Sequence, residues 1–325
     1  GKEMLDNYGI RTDLALEATE RFTEENVEVR GVEIHEDYNE EKDIRTTVVK
    51  ITTENGARTM GRPQGSYITI EAPGLSVHDE DYHREISLEI ARHLQNVINL
   101  ERELSILVVG LGNSAITADS LGPHVVENLH ITRHMIREYG LQSLGKEKMH
   151  RISGIIPGVM AQTGMETAEI VRGVVRESRP DLVIAVDALA ARNVHRLAST
   201  IQLTDTGIHP GSGVGNHRRG MTRENLGVPV IAIGVPTVVG AAAIVHGTVN
   251  ALVRTLTASK EGSRYGEYIR ELDSDSQYEL IRELLEPEFG AMFVTPQDMD
   301  ERICKLSAAI AEGIRRAVER LEEER

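Results

Sequence analysis

The sequence predicts an α/β fold, a mainly parallel sheet covered by helices on both faces and preceded by a β-rich N-terminal part. Three observations predict it. Unalternating apolar runs recur as Ser105–Val109 (SILVV), Leu182–Val186 (LVIAV) and Val228–Gly234. Segments with helical spacing stand between them. The chain, 325 residues with 40% hydrophobic and 27% charged side chains, is long enough for one large domain or a core with a smaller lobe. Strands buried on both faces read as continuous apolar runs, and parallel neighbours need crossovers that are usually helical. Trp is absent and aromatics make up 3%, so the core must rest on Val, Ile, Leu and Ala.

The elements follow in order. Val27–Ala72 reads as β, with Val27, Val29, Val32 and Ile34 alternating, then Ile44–Thr52 and Tyr67–Glu71; Asn55-Gly56 marks a turn. Glu85–Leu100 switches to a helical stripe of Ile86, Ile90, Leu94, Val97 and Ile98. After SILVV a helix is expected over Gly122–Tyr139, then a strand at Ile152–Ile156, a helix at Glu166–Ser178, LVIAV, and a strand at Thr200–Leu203. Gly227–Val245 holds no charge over its length. Its prolines and glycines divide it into the strand Val228–Gly234 and a helix starting near Pro236, which argues for burial over a membrane span. Leu256–Ser276 is polar and suits a surface excursion. From Asp298 the apolar positions Met299, Ile303, Leu306, Ile310, Ile314, Val318 and Leu321 define an amphipathic C-terminal helix.

Charge narrows the function. With 36 Lys+Arg against 51 Asp+Glu the net charge is −15, which argues against a nucleic-acid binder and against docking on an anionic membrane. The polar Gly1–Asn7 shows no secretory signal. Cys304, the single cysteine, allows no intrachain disulfide, fits a reducing compartment and reads as a packed thiol of the last helix.

Several constellations carry chemistry. Gly110-Leu-Gly112-Asn-Ser-Ala115 satisfies G-x-G-x-x-A after a strand, but no apolar helix follows at once and no acidic strand end lies about 20 residues on. Asp119 sits beyond one apolar strand and Asp187 ends another (VIAVD). Loops at the carboxyl ends of parallel strands converge on one crevice, so the two carboxylates can meet. Such a pair suits hydrolysis: the ionised member takes a proton from water while its protonated neighbour polarises the scissile carbonyl. Alternatively Asp119 caps a helix and Asp187 merely ends a strand. His209-Pro-Gly211-Ser-Gly213-Val-Gly215-Asn-His217-Arg218-Arg219 offers backbone for close approach and side chains for proton transfer or carboxylate binding, or is a plain surface loop. No G-x-S-x-G elbow occurs, and His130-Ile-Thr-Arg-His134 lacks the Glu of H-E-x-x-H. A metal held by His and carboxylates from separate loops stays open.

Taken together, Arg11-Thr-Asp-Leu-Ala-Leu-Glu17, Val108-Val-Gly-Leu-Gly-Asn113, Asp119-Ser-Leu-Gly-Pro123, Ile131-Thr-Arg-His134, Pro157-Gly-Val-Met160, Val186-Asp-Ala-Leu-Ala-Ala-Arg192, Ile208-His-Pro-Gly-Ser-Gly-Val-Gly-Asn216 and Val235-Pro-Thr-Val-Val239 resemble the germination protease family. The likeness runs from about residue 9 to about residue 318. It implies an endopeptidase that degrades small acid-soluble spore proteins, made as a zymogen that removes its own N-terminus and assembled as a homotetramer. It also implies a fold like the hydrogenase-maturation endopeptidases, catalysis by Asp119 and Asp187, and a place in the spore interior.

The implied specificity is an acidic residue, the cut, a hydrophobic residue, then Ala. Asp13-Leu14-Ala15 reproduces it, so residues 1–13 read as propeptide and 14–325 as one protease domain, β-rich over about 26–72 with the excursion at about 256–276. Departures are Ile10 where an acidic residue is preferred, a short Leu256–Gln277 and Gly240 for a polar residue. On this reading the Gly211–Asn216 loop lines the cleft, with His209, Gly211, Gly213 and Gly215. Arg192, Arg218 and Arg219 are the expected cations for the acidic substrate residue. No cofactor and no metal are expected. The alternatives are a metal-dependent peptidase using the same carboxylates as ligands, and a nucleotide-binding protein.

Overall fold

The computed structural model describes residues 12–24, 29–76, 80–209, 220–258, 274–289 and 292–323. Strands β1 (Val32–Asn39), β2 (Ile44–Ile51) and β3 (Gly65–Glu71) form an antiparallel meander. They continue into β4 (Ser105–Gly110), β5 (Arg151–Ile155), β6 (Leu182–Ala191), β7 (Thr200–Thr204), β8 (Val230–Gly240) and β9 (Phe293–Val294). Together these make one nine-stranded sheet in the order β1-β2-β3-β7-β8-β6-β4-β5, with β9 on β8.

The expected mainly parallel sheet is corrected here. Parallel pairing is confined to β5-β4-β6-β8. From β8 outward through β7, β3, β2 and β1, and at β9, every ladder among the described residues is antiparallel. The sheet is therefore mixed and mostly antiparallel. β7 (TIQLT) is buried at every position between β3 and β8, and a doubly covered strand looks the same in sequence whichever way its neighbours run. The N-terminal β segment supplies three of the nine strands of this sheet and is not an appendage.

Alternation sorts the strands onto two cores. Ile106, Val108, Ile184, Val186, Ile231, Ile233, Ile201 and Leu203 face helix α3 (Glu80–Val97) and the C-terminal helix Met299–Glu323, meeting Ile86, Ile90, Leu94, Ile303, Leu306 and Ile310. Leu107, Val109, Val183, Ala185 and Val230 face the other way, against Ala168, Val171 and Val175 of α7 (Thr167–Ser178). On that second face the antiparallel half is covered by α1 (Ala15–Glu24), whose Ala15 packs with Val49, Ile51, Met60 and Tyr67.

Four local expectations change. The helix over Gly122–Tyr139 is two, α4 (Leu121–Glu127) and α5 (Arg133–Ser143). Thr132 between them donates its N–H to the Ile152 carbonyl and accepts the Ile152 N–H on Oγ1, both at 2.9 Å, so pairing with β5 overrides helix continuation. Asn55-Gly56 lies in the first turn of the short helix α2 (Glu54–Met60), capped by Thr53, whose Oγ1 accepts the Gly56 N–H. β8 runs through Pro236 to Gly240, and helix α9 (Ala241–Ala258) starts only after it; the register shifts here from Leu189↔Pro236 to Ala190↔Val238. A proline is tolerated in a strand at such a bulge. Cys304 is exposed, not packed.

The uncharged stretch 227–245 thus supplies β8 and the start of α9, and no helix among the described residues is long and apolar enough to cross a membrane. Of the expected excursion 256–276, residues 259–273 lie outside the described residues.

Candidate active site

β4 ends at Gly110, and the chain turns back so that a single 3-10 turn, Thr117–Asp119, precedes α4. Asp119 is bound from behind: the Asn113 N–H donates to its Oδ2 at 2.7 Å. Gly112 has φ +115°, and a Cβ there would stand 2.0 Å from the Asp119 carbonyl oxygen. Gly122 is pressed in the same way, its virtual Cβ 2.3 Å from the Leu111 carbonyl and 2.5 Å from that of Val186. Gly110 and Gly112 of the dinucleotide-like pattern, with Gly122 outside it, therefore let α4 and the Asp119 turn come onto β4 and β6; a Cβ at Gly110 would stand 2.4 Å from the Gly122 carbonyl oxygen. Further support comes from Thr237 at the β8 bulge, fully buried, whose Oγ1 donates to the Ala118 carbonyl at 2.5 Å. On the outside Thr117 Oγ1 donates to Asp300 of the C-terminal helix at 2.8 Å.

Asp187 lies on β6, buried, with the Ala188 N–H donating to its Oδ1 at 2.9 Å. Burial raises its pKa well above the usual carboxylate value; the Asp119 charge adds to the rise and so does that of Asp13, against the lowering Ala188 hydrogen bond. Asp119 is raised as well, by burial, with the Asn113 N–H opposing. The structure thus sets Asp119 near enough to Asp187 for its charge to act there, and Asp13 acts on Asp187 in the same sense.

This third carboxylate belongs to Thr12–Leu14, the stretch that leads into α1 and bonds the end of β6. Asp13 donates its N–H to the Ala190 carbonyl at 3.0 Å and accepts the Ala190 N–H on Oδ2 at 2.8 Å. Leu14 is fully buried among Ala191, Leu197, Val239, Ala243 and Tyr278. The Thr12 carbonyl accepts from Arg62 at 2.7 Å. The Arg62 guanidinium is buried, which lowers its pKa, while the Asp13 charge opposes that fall. Gln202 of β7 binds here twice, donating from Nε2 to the Asp13 carbonyl at 3.1 Å and accepting the Ala15 N–H on Oε1 at 2.9 Å.

Helix α1 is locked behind this stretch by charges. Glu17, fully buried, accepts the N–H groups of Arg192 (2.8 Å) and Asn193 (2.9 Å), the Thr12 hydroxyl (2.5 Å) and the Arg196 guanidinium (3.0 Å). Arg196 also bonds Glu20 at 2.6 Å and Glu71 at 3.2 Å. Burial would lower the Arg196 pKa, but Glu20 and Glu17 outweigh it and raise it instead. Arg192, expected as a pocket cation, has its guanidinium on Glu20. His209 is exposed, its ring over Gly220, where a Cβ would approach within 2.7 Å. Gly211, Gly213, Gly215, Arg218 and Arg219 lie outside the described residues, as does residues 1–11 of the expected propeptide. Arg62, Gln202 and Thr237 were not singled out by sequence. Each sits in an ordinary strand or loop context, and only the sheet order brings them to β6. Among the described residues no three His, Cys, Asp or Glu side chains gather as metal ligands.

Two carboxylates of raised pKa beside a bound stretch of main chain are groups that a hydrolase can use. The family model described as germination protease matches residues 11–265. Relatives named germination protease match nearly the whole chain. That of Caldanaerobacter subterraneus subsp. tengcongensis is 47% identical over 318 residues, covering 97% of this chain and 96% of the relative. That of Clostridium perfringens is 40% identical over 314 residues, 96% of each. That of Bacillus velezensis is 38% identical over 352 residues, covering 97% of this chain and 94% of the relative. The chain belongs to the germination protease family.

Proposed function

We propose that this endopeptidase acts in spore germination on small acid-soluble spore proteins, cutting after an acidic residue and before a hydrophobic residue followed by Ala, and that it first cuts itself between Asp13 and Leu14, releasing residues 1–13. The observation that carries this reading is the seat of Asp13-Leu14-Ala15 beside Asp187: an acidic residue on the β6 edge, a leucine in a closed apolar pocket, and an alanine with no exposed surface. The order of side chains in the groove is the order expected of a substrate.

In this reading Asp119 and Asp187 share one proton, which resides on Asp187. Asp187 is the more deeply buried, and it feels the Asp119 charge. Asp119 takes a proton from water as the water oxygen attacks the carbonyl carbon, and Asp187 gives its proton to the departing amine. Arg62, with Asp13 acting on it, supplies positive charge for the acidic residue within a chain of net charge −15. Arg192, Arg218 and Arg219 hold the second claim to that role, and Gly211, Gly213, Gly215 and His209 the claim to the cleft's outer wall. A homotetramer, a spore-core location and a likeness to the hydrogenase-maturation endopeptidases, for which the parallel half of the sheet is the relevant part, belong to the same proposal.

The test is cleavage of a synthetic spore-protein peptide containing Glu-Leu-Ala, with products identified by mass. Cleavage after Glu, unchanged by chelator, supports the reading. Loss of cleavage on chelation with return on metal add-back supports instead a peptidase in which Asp119 and Asp187 hold an ion.

A further inference from the structure

The two halves of the sheet meet at one row of residues. Asp187 on β6 is paired with Gly234 on β8, and Gly234 is paired with Gln202 on β7. Paired residues of adjacent strands share a face, so Asp187 and Gln202 point the same way. Their Cα atoms stand two strand spacings apart, about 10 Å, with a glycine between them. The Asp13–Leu14 peptide lies over this row. Its carbonyl accepts from Gln202 Nε2 at 3.1 Å, while Asp13 acts on Asp187 and bonds the next turn of β6 at Ala190. The same Gln202 side chain accepts the N–H of Ala15 on the far side of the bond. One buried amide thus spans the peptide to be cut, donor on the residue before it and acceptor on the second residue after it.

We infer that Gln202 is a catalytic residue of this protease: it clamps the substrate backbone across the scissile bond and donates a hydrogen bond to the carbonyl oxygen as that oxygen becomes negative. The inference rests on the reading above that the chain cuts between Asp13 and Leu14. Water attacks the Asp13 carbonyl carbon and loses its proton to Asp119. The carbonyl electron pair moves onto oxygen, where Gln202 Nε2–H stabilises it. The pair then returns, the C–N bond breaks, and the Leu14 nitrogen leaves with the proton from Asp187. The products are a new Asp13 carboxyl and a free Leu14 amine, and transfer of the proton from Asp119 to Asp187 restores the pair. An amide suits the role because it carries donor and acceptor on one planar group. An ionised Glu at this position keeps an acceptor for the alanine N–H but sets an anionic oxygen, with no proton to donate, against the carbonyl.

The experiment is peptide cleavage by the self-processed enzyme and by its Gln202→Glu and Gln202→Leu variants. It uses a Glu-Leu-Ala peptide and a matched peptide in which the alanine N–H is replaced by an ester oxygen, with cut sites mapped by mass. The expected result is a fall in kcat of about 10²–10³-fold for both variants, the loss seen when one oxyanion donor is removed, with the melting temperature of Gln202→Glu close to wild type. The ester peptide is expected to lose up to about tenfold in kcat/KM with wild type, one neutral hydrogen bond, and nothing further with Gln202→Leu. Should a variant not fold, the wild-type ester comparison decides, since equal cleavage of both peptides overturns the clamp. Variants that cut with unchanged kcat, while only their melting temperature moves, make Gln202 an anchor for α1 and overturn the catalytic role alone. Wild-type enzyme that cuts elsewhere than after the acidic residue overturns the underlying reading as well.

Discussion

The parallel strands β5-β4-β6-β8 and the antiparallel strands β7-β3-β2-β1 divide the work of one sheet. On the proposed function the parallel side holds the chemistry: it carries Asp119 at the exit of β4 and Asp187 on β6, both with their pKa raised by burial. The antiparallel side holds the peptide: Gln202 on β7, Arg62 before β3, and the Val49–Tyr67 pocket under Ala15. Neither side alone is a site. The join at Gly234 puts a reacting group and a backbone-binding group on one face, with Leu189 leaning into the space that a side chain at Gly234 would fill, where a Cβ would lie 2.4 Å from the leucine. A carboxylate pair becomes specific for a peptide when a differently built surface lays the peptide over it.

The largest effect that separates the halves is on chemistry. Asp119→Asn and Asp187→Asn are each expected to lower peptide cleavage by about 10²–10⁴-fold, measured as initial rate. Both should gain stability at neutral pH, Asp187→Asn the more, because the pKa of the Asp187 carboxyl is raised further. A carboxyl whose pKa is raised by folding contributes stability that is present below its ordinary value of 3.8 and lost as pH rises through the folded value. At neutral pH Asp187 therefore costs stability, and Asp187→Asn should melt higher than wild type, by a margin that narrows as pH falls.

On the antiparallel side Arg196→Ala leaves the buried Glu17 without its cation. A loss of about 3–5 kcal/mol is expected in denaturant unfolding; a loss below 1 kcal/mol would show that α1 is not held by this network. Arg62→Met should lower kcat/KM for a Glu-containing peptide by about tenfold beyond its effect on the matched Gln-containing peptide, which loses only the main-chain hydrogen bond from Arg62. Retained discrimination would move the pocket to Arg192, Arg218 or Arg219. Thr237→Val removes the hydroxyl that holds the Asp119 turn at Ala118, with an expected cost of about 1 kcal/mol in stability and a slower cleavage step at unchanged KM. An effect on KM alone would mean that Thr237 serves binding and not the aspartate.

The parallel half was the legible half. SILVV and LVIAV are unbroken because β4 and β6 are covered on both faces, and the aspartates stand at or beyond the ends of those runs, so the strands and the proposed site are read from one signal. The same signal misled at β7, where TIQLT is equally buried in antiparallel company. It also misled at Pro236, which sits at a bulge inside β8 rather than at a helix start. Arg192 could be named from its nearness to Asp187 in sequence, but a strand that carries on past Asp187 moves it away to Glu20. Arg62 and Gln202 lie far from either aspartate in sequence. Their partnership with Asp13 depends on β3 and β7 being neighbours and on β7 lying against β8, which no local pattern encodes.

The most direct measurement is the intact mass of the purified chain as it processes itself, followed for wild type and for Asp187→Asn. The account predicts that wild type loses residues 1–13 and begins at Leu14, while Asp187→Asn keeps its full mass over the same period. Processing of Asp187→Asn to Leu14 at the wild-type rate would contradict it.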